Sequence, residues 1–163
     1  MASRPALAKP LAHDAQALQR LDLQLCFALY SSSLLMTKLY KPVLAPLGLT
    51  YPQYLVLLVL WETDRIGVGE LGTRLYLDSG TLTPLLKRME GAGLLTRTRD
   101  ADDERRVIVA LSSAGRALRR KAEKVPLAVA GATGCDLNQI SELTAQLQRL
   151  RENLAGQIEP DPS

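Results

Sequence analysis

Near its centre the chain runs Leu75-Tyr76-Leu77-Asp78-Ser79-Gly80-Thr81-Leu82-Thr83-Pro84-Leu85-Leu86-Lys87-Arg88-Met89-Glu90. Its leucines recur at helical spacing, so a helix here buries one stripe and leaves the other side to solvent. Asp78 or Ser79 can cap the start of this helix through a side-chain oxygen, and Gly91 and Gly93 end it. The exposed side predicts a DNA-binding set: Asp78, Ser79, Gly80, Thr81, Thr83, Lys87 and Arg88.

The flanking sequence predicts a winged helix-turn-helix. Residues 67–75 form a short helix, and the connection of about three to four residues that follows is typical of a helix-turn-helix. Residues 94–100 and 106–111 alternate in character as strands do, with a charged loop between them. We therefore predict a mainly α-helical fold with a small β-hairpin wing. The wing adds five DNA-binding candidates: Arg97, Arg99, Asp103, Arg105 and Arg106.

The basic charge is concentrated in this region. Residues 87–124 hold eleven Lys or Arg and six Asp or Glu, whereas the rest of the chain holds nine and eleven. Basic side chains often only solvate a surface, but that reading does not explain their coincidence with a capped helix and a hairpin. The local surplus favours double-stranded DNA as the partner.

Composition narrows the class of protein. With 163 residues and 47% hydrophobic content, the chain is long enough for one domain with a sizeable core. Residues 1–13 lack a signal-peptide core, and the longest apolar run, residues 54–61, is far shorter than the roughly 20 residues that a membrane helix needs. Two cysteines 109 positions apart and a single histidine make a metal site improbable. We expect a cytoplasmic protein with no membrane segment, no metal and no cofactor.

The two ends of the chain predict long amphipathic helices. Residues 14–41 form one helix that Pro42 closes, and residues 136–154 carry a second leucine stripe. A 28-residue helix spans about 42 Å, more than a small domain needs, so part of it should pack on another chain. We predict a homodimer whose interface is built from both ends, with a wholly intramolecular bundle as the alternative.

These patterns divide the chain into an arm, one domain and a tail. Residues 1–13 are a disordered arm, 14–156 a single domain and 157–163 the tail. Within the domain, residues 14–48 and 113–156 form the dimerisation region and residues 49–112 form the winged helix-turn-helix.

Cys26 lies on a polar face of the first long helix. Asp22, Cys26, Tyr30, Ser33 and Thr37 follow steps of four, four, three and four residues. A buried, inert cysteine is the plain alternative. The polar spacing instead favours a reactive thiol.

Tyrosines supply candidate partners for that thiol. Tyr40 lies fourteen residues after Cys26, about 21 Å along a straight helix, and so cannot touch it within its own chain. If two such helices cross antiparallel in a dimer, Tyr40 and Tyr51 of one chain could approach Cys26 of the other. Phenolic donors would stabilise a thiolate, whereas the carboxylate of Asp22 would oppose it.

Three segments, residues 25–30, 36–42 and 49–54, together with residues 75–90, carry a family resemblance. They resemble the organic-hydroperoxide-sensing repressors of the OhrR type within the MarR family, over about residues 21–118. Generic MarR proteins share the winged helix and the Asp103-x-Arg105 wing signature, but not the cysteine with its tyrosines. The resemblance implies that Cys26 is the peroxide-reactive thiol, that Tyr40 and Tyr51 donate to it and that Tyr30 lies nearby.

The resemblance also implies partners and a second cysteine. It implies a homodimer on a palindromic DNA operator, with an organic hydroperoxide as the oxidant. Some members have a C-terminal cysteine that resolves the sulfenic acid as an intersubunit disulfide, and Cys135 resembles it. Residues 130–134 are predicted to be a flexible connector before Cys135, and Asp136 to cap the helix that follows.

Three alternatives stay open from the sequence. A MarR-type repressor released by a noncovalent phenolic ligand would leave Cys26 a bystander. A thiol peroxidase would use the same cysteine and tyrosines for turnover, although a winged helix argues against an enzyme. A structural nucleoid protein would show no preference for a palindrome.

Overall fold

The computed structural model describes residues 19–157, and most of them are helical. The chain divides into two compact units, residues 1–38 and 39–163. Its helices and strands are α1 (Leu25–Leu44), α2 (Tyr51–Glu62), β1 (Ile66–Gly67), α3 (Val68–Leu75), α4 (Ser79–Gly91), β2 (Leu95–Arg99), β3 (Val107–Leu111), α5 (Ser113–Lys121), α6 (Val125–Ala132) and α7 (Leu137–Ala155). The predicted fold, mainly α-helical with a small wing, is confirmed.

The first helix starts later than the sequence predicts. Residues 14–18 of the predicted helix lie outside the described residues, Leu21–Leu23 is a 3-10 turn and Gln24 is extended, with φ −81° and ψ 114°. An extended residue cannot carry the α-helical hydrogen-bond pattern, so α1 begins only at Leu25. Asp22 is therefore not on the helical face of Cys26. Its carboxylate pairs with Arg20 at 2.6 Å, and that ion pair lowers its pKa.

The end of the first helix also differs from the prediction. Pro42 lies inside α1, which continues to Leu44, instead of closing the helix. Proline removes one backbone donor, but Leu44 is fully buried in the core and holds the last turn in place. A left-handed Gly48, with φ 67°, then redirects the chain towards α2.

The core lies in the second unit and centres on α2, α3 and α4. α2 carries Val56, Leu57 and Leu60, each at most 1% exposed. A capping interaction lies at its start, where the backbone N–H of Thr50 donates to Gln53 Oε1 at 2.9 Å. Burial of each of these side chains stabilises the folded state by about 1.5–3 kcal/mol, so the apolar run of α2 anchors the fold.

The sheet has one strand more than the hairpin predicted from the sequence. β2 and β3 pair antiparallel, with Leu95 opposite Leu111 and Arg99 opposite Val107, as expected. The two-residue β1 adds to the other edge of β3, which gives the order β1-β3-β2. A strand this short has no periodicity, and only its pairing with β3 defines it.

The C-terminal segment is more helical than predicted. Ser112 caps α5 by accepting a hydrogen bond from the backbone N–H of Gly115 at 3.0 Å. Pro126 lies in the first turn of α6, where a missing donor costs nothing, and α6 runs to Ala132 through most of the predicted connector. α7 begins with the predicted cap, in which Gln139 N–H donates to Asp136 Oδ1 at 2.9 Å. The predicted arm, residues 1–13, lies outside the described residues.

Within residues 19–157, no single helix is both long and apolar enough to cross a membrane. One bent pair, Leu25–Leu47 with Tyr51–Glu62, meets the length and composition requirement only when the two are taken together.

Candidate functional site

α4 presents the predicted polar set on its surface. Leu82, Leu85 and Leu86 are at most 4% exposed and fix this face of the helix against the core. The opposite side is solvent-exposed and carries Ser79, Gly80, Thr81, Thr83, Lys87 and Arg88. The burial pattern thus leaves one continuous polar and basic face of α4 free to contact a ligand.

Asp78 fixes the start of this face. Its Oδ1 accepts the backbone N–H of Thr81 at 2.8 Å, and its Oδ2 accepts the Thr81 hydroxyl at 3.0 Å. The backbone hydrogen bond from Thr81, followed by that from its hydroxyl, lowers the pKa of Asp78, so the cap is ionised at neutral pH. The geometry makes Asp78 a residue that orients the first turn of α4.

Two arginines of the wing have different surroundings. Arg97 donates from its backbone to Glu90 Oε1 at 2.9 Å and from its guanidinium to Glu90 Oε2 at 2.7 Å, which joins β2 to the end of α4. This pairing lowers the pKa of Glu90. Arg105 is 97% exposed at the wing tip, with only a 3.8 Å approach to Asp103. Arg97 therefore holds the wing on α4, whereas Arg105 is available to a partner.

The remaining wing candidates shape the loop or extend from it. Asp103 Oδ1 accepts the backbone N–H of Arg105 at 3.0 Å, so its carboxylate organises the turn. Arg106 approaches Asp100 at 3.8 Å, and Arg99 is exposed on β2. An open cleft of about 520 Å³ lies between the wing and α3–α4, lined in part by Glu70, Thr83, Arg97 and Arg105. The DNA-binding role of these residues stays a prediction.

The turn between α3 and α4 carries a contact that the sequence did not reveal. Tyr76 adopts a left-handed backbone, with φ 56°, and its ring is 63% exposed. The guanidinium carbon of Arg151 on α7 lies 4.6 Å from the centre of that ring, a cation–π distance. These two residues are 75 positions apart, so no local spacing signals the pair.

Tyr40 and Tyr51 form an aromatic pair in the second unit. Their ring centres are 4.4 Å apart, and Tyr54 lies 6.0 Å from Tyr40. Burial, with smaller contributions from Tyr51 and Tyr54, raises the pKa of Tyr40 to about 12. Burial also raises the pKa of Tyr51. Both phenols are protonated near neutral pH and can donate hydrogen bonds. Tyr54 is a third member of the cluster, beside the two predicted tyrosines.

The other predicted redox residues are exposed. Cys26 lies in the first turn of α1 in the first unit, with a free and exposed thiol. Tyr30, one turn later, is 63% exposed. Among the described residues, no hydroxyl or sulfur partner of Cys26 is found within its unit.

Cys135 is also free and exposed, directly before the cap of α7. Its backbone N–H donates to the Thr133 hydroxyl at 3.2 Å, and Gly134 turns the chain with φ 72°. Over residues 19–157, no group of three or more His, Cys, Asp or Glu side chains could hold a metal ion. The chemistry available here is that of two accessible thiols.

Comparison with known proteins agrees with this arrangement. Residues 38–121 match the family described as Transcriptional regulator SarA/Rot. The organic hydroperoxide resistance transcriptional regulator of Bacillus subtilis (strain 168) is 49% identical over 135 residues, which cover 83% of this chain and 92% of that protein.

Solved structures of AbfR are similar in fold. Reduced AbfR bound to DNA has a TM-score of 0.76 and 35% identity, covering 88% of this chain and 99% of that one. Disulfide-formed AbfR has a TM-score of 0.56 and 38% identity, covering 83% and 95%. The relatives are named transcriptional regulators, which confirms a regulator and not an enzyme. The chain belongs to the MarR family of winged-helix transcriptional regulators, to the organic-hydroperoxide-resistance (OhrR) type.

Proposed function

We propose that this protein is a redox-switched repressor, in which oxidation of Cys26 by an organic hydroperoxide releases the operator. The tyrosine pair carries the proposal. The ring centres of Tyr40 and Tyr51 lie 4.4 Å apart in a tilted arrangement, and burial raises the pKa of both phenols, so both are protonated near neutral pH. Two neighbouring protonated phenols can donate hydrogen bonds that stabilise an anionic sulfur supplied by another chain.

A homodimer supplies that sulfur. Leucines of α7 remain 39–67% exposed, namely Leu137, Leu143, Leu147 and Leu154. In the first unit, Leu25, Leu34 and Leu35 are 47–65% exposed. Apolar stripes of this size are covered in a stable protein, and a second copy with the same stripes is the simplest cover. In that dimer, Cys26 of one chain approaches Tyr40 and Tyr51 of the other.

The proposed chemistry has two steps. The Cys26 thiolate attacks one peroxide oxygen, the S–O bond forms as the O–O bond breaks, and the organic alkoxide leaves and takes a proton. The thiol is oxidised to a sulfenic acid and the hydroperoxide is reduced to an alcohol. The Cys135 thiolate of the partner then attacks the sulfenic sulfur, the disulfide forms, and hydroxide leaves as water after protonation.

The DNA-binding step uses the exposed face of α4. In a two-fold dimer, the two α4 helices enter successive major grooves of a palindrome with half-sites about 10 bp apart. The Arg105 guanidinium at each wing tip lies along the adjacent minor groove or phosphate backbone. Oxidation favours a dimer arrangement that misaligns the α4 helices, and a shift of about 1.4 kcal/mol weakens binding tenfold.

The proposal is tested by measuring operator binding by the reduced and the hydroperoxide-treated protein, together with the intact mass of each form. Native protein is expected to leave the operator after treatment. Its mass should fall by two hydrogens for each disulfide formed, and nonreducing gels should show a dimer that a reductant reverses. Cys26→Ser is expected to stay bound at the same dose. Cys135→Ser is expected to stop at the sulfenic acid and to advance to the sulfinic acid at higher dose.

Two results would contradict the proposal. Release of Cys26→Ser at the native dose would make Cys26 a bystander and favour a noncovalent ligand. A native protein that releases DNA with Cys26 joined to a small thiol, and without a dimer, would remove the resolving role of Cys135.

A further inference from the structure

A line of aromatic rings continues from the tyrosine pair along α2. Tyr54 is 2% exposed, and its ring centre lies 6.0 Å from that of Tyr40. On its other side, Trp61 lies 6.2 Å away in an edge-on arrangement. Because the 12 residues of α2 span about 18 Å, these contacts join the tyrosine pair to the far end of the helix.

Trp61 contacts the segment where α4, the wing and α5 meet. Its indole N–H donates to the carbonyl of Gly115 in α5 at 3.0 Å. Gly115 in turn packs so closely on Leu94 that an added Cβ would lie 2.1 Å from the Leu94 carbonyl oxygen. Leu94 closes α4, since its N–H donates to the Met89 carbonyl at 3.0 Å.

Asp64, just beyond α2, holds the same segment from a second side. Its Oδ1 accepts the backbone N–H of Leu111 at the end of β3 at 2.8 Å. Its Oδ2 accepts from Arg116 of α5 at 2.7 Å. Asp64 therefore bonds the region just beyond α2 both to the last strand of the wing and to α5, independently of Trp61.

We propose that α2 transmits the state of the tyrosine pair to the DNA-binding surface, with Tyr54 and Trp61 as positioning residues. The inference rests on the proposed function, because it takes oxidation of Cys26 as the event that displaces Tyr40 and Tyr51. Close-packed interiors have low compressibility and transmit strain, so a displacement of Tyr40 displaces Tyr54 and Trp61 in turn. A shift of Trp61 changes the position of Gly115. Because Gly115 packs on Leu94, the position of the C-terminal end of α4 changes with it.

The competing arrangement is a winged helix-turn-helix that moves as a rigid body while the dimer rearranges. In that case Trp61 and Gly115 keep their contact in both redox states. The two arrangements predict different effects of a substitution at Trp61. If α2 transmits the signal, the substitution weakens the effect of Cys26 oxidation on operator affinity, although Cys26 still oxidises and the reduced protein still binds DNA.

Trp61→Phe tests the transmission directly, because it keeps a ring but removes the donor to Gly115. We expect reduced Trp61→Phe to bind the operator as the native protein does and Cys26 to oxidise at the native rate. The ratio of operator affinities between reduced and oxidised forms should fall about fivefold or more, the lower end of ordinary allosteric coupling. Val129→Ala, a buried change in α6 that removes none of these ring contacts or hydrogen bonds, is the matched control and should keep the native ratio.

The outcomes separate the two proposals. If native protein stays on the operator after hydroperoxide treatment, the proposed function fails. If native protein releases the operator and Trp61→Phe releases it with the same affinity ratio, the role of α2 fails and the proposed function stands.

Intrinsic fluorescence gives a second test that needs no change at Trp61. Trp61 is the single tryptophan of the chain, so emission reports its surroundings alone. Hydroperoxide should shift the emission of native, DNA-free protein and leave Cys26→Ser unchanged. Native emission that is identical before and after complete oxidation would overturn the proposal.

Discussion

The winged helix-turn-helix and α7 both carry leucines at helical spacing, but only the first covers them within the chain. Leu82, Leu85 and Leu86 of α4 are 1–4% exposed, whereas Leu143, Leu147 and Leu154 of α7 are 39–52% exposed. The same periodicity therefore has two physical outcomes. It indicates that a helix has an apolar face, and the surrounding structure decides whether that face is covered by its own chain.

The most damaging change in the covered region is expected at Gly115. Gly115→Ala would place a Cβ 2.1 Å from the Leu94 carbonyl oxygen, so the backbone has to move. We expect a loss of about 3 kcal/mol in the free energy of unfolding, measured by urea denaturation.

Gly131→Ala is the matched control, because a Cβ on Gly131 of α6 meets no atom within 4 Å. It should leave stability unchanged or raise it by about 0.5–1 kcal/mol, since alanine favours the helix. Equal unfolding free energies of Gly115→Ala and Gly131→Ala would contradict the close packing of Gly115 on Leu94.

The uncovered region should respond in association and not in folding. Leu143→Lys places a charge on the exposed stripe of α7 and is expected to raise the dimer dissociation constant about a hundredfold. Sedimentation velocity over a concentration series measures this, and far-UV circular dichroism should stay native at concentrations where the protein is associated.

Gln148→Lys, an exposed position of α7 outside the leucine stripe, should retain the native dissociation constant. A Leu143→Lys protein that associates as tightly as the native one would show that another surface forms the dimer.

A single arginine at the wing tip should affect DNA binding and not folding. Arg105→Ala removes a side chain that is 97% exposed, so folding should be unaffected. Operator affinity should fall about tenfold, and the slope of log K against log salt should decrease by about one if the guanidinium contacts a phosphate.

Arg149→Ala on exposed α7 is the control for lost positive charge and should leave the salt slope unchanged. Native affinity and slope in Arg105→Ala would remove the wing tip from the DNA interface.

The smallest expected effect concerns the phenol of Tyr40. Its pKa is about 12 in the folded chain and about 10 when unfolded. Below pH of about 10 the phenol is protonated in both states and its contribution is complete. As pH rises towards 12, the unfolded phenol ionises first, so stability is lost.

Tyr40→Phe should therefore reduce, without abolishing, the decline in unfolding free energy across this range, because burial also raises the pKa of Tyr51 and Tyr54. Urea denaturation at about pH 9 and about pH 11 measures the decline. An identical decline in both proteins would mean that the phenol of Tyr40 is not protected by folding.

Much of the architecture follows from local patterns. The leucine spacing, the Asp78 cap and the alternation of the wing predicted α3, α4, β2 and β3 because each depends on neighbouring residues. The first helix was mispredicted because Gln24 adopts an extended backbone and Leu44 is held by the core, and neither is visible in helical periodicity.

Local patterns in the sequence were enough to predict the winged helix-turn-helix and the polar face of α4, and they named Cys26, Tyr40 and Tyr51 as candidates for a redox site. The contacts of Tyr54 with the tyrosine pair, of Trp61 with Gly115 and of Arg151 with Tyr76 are visible only in the folded chain. These contacts differ from the predicted features in the sequence separation of the residues that they join. Periodicity and capping act over a few residues, whereas these contacts join side chains 14 to 75 positions apart, and packing alone selects them.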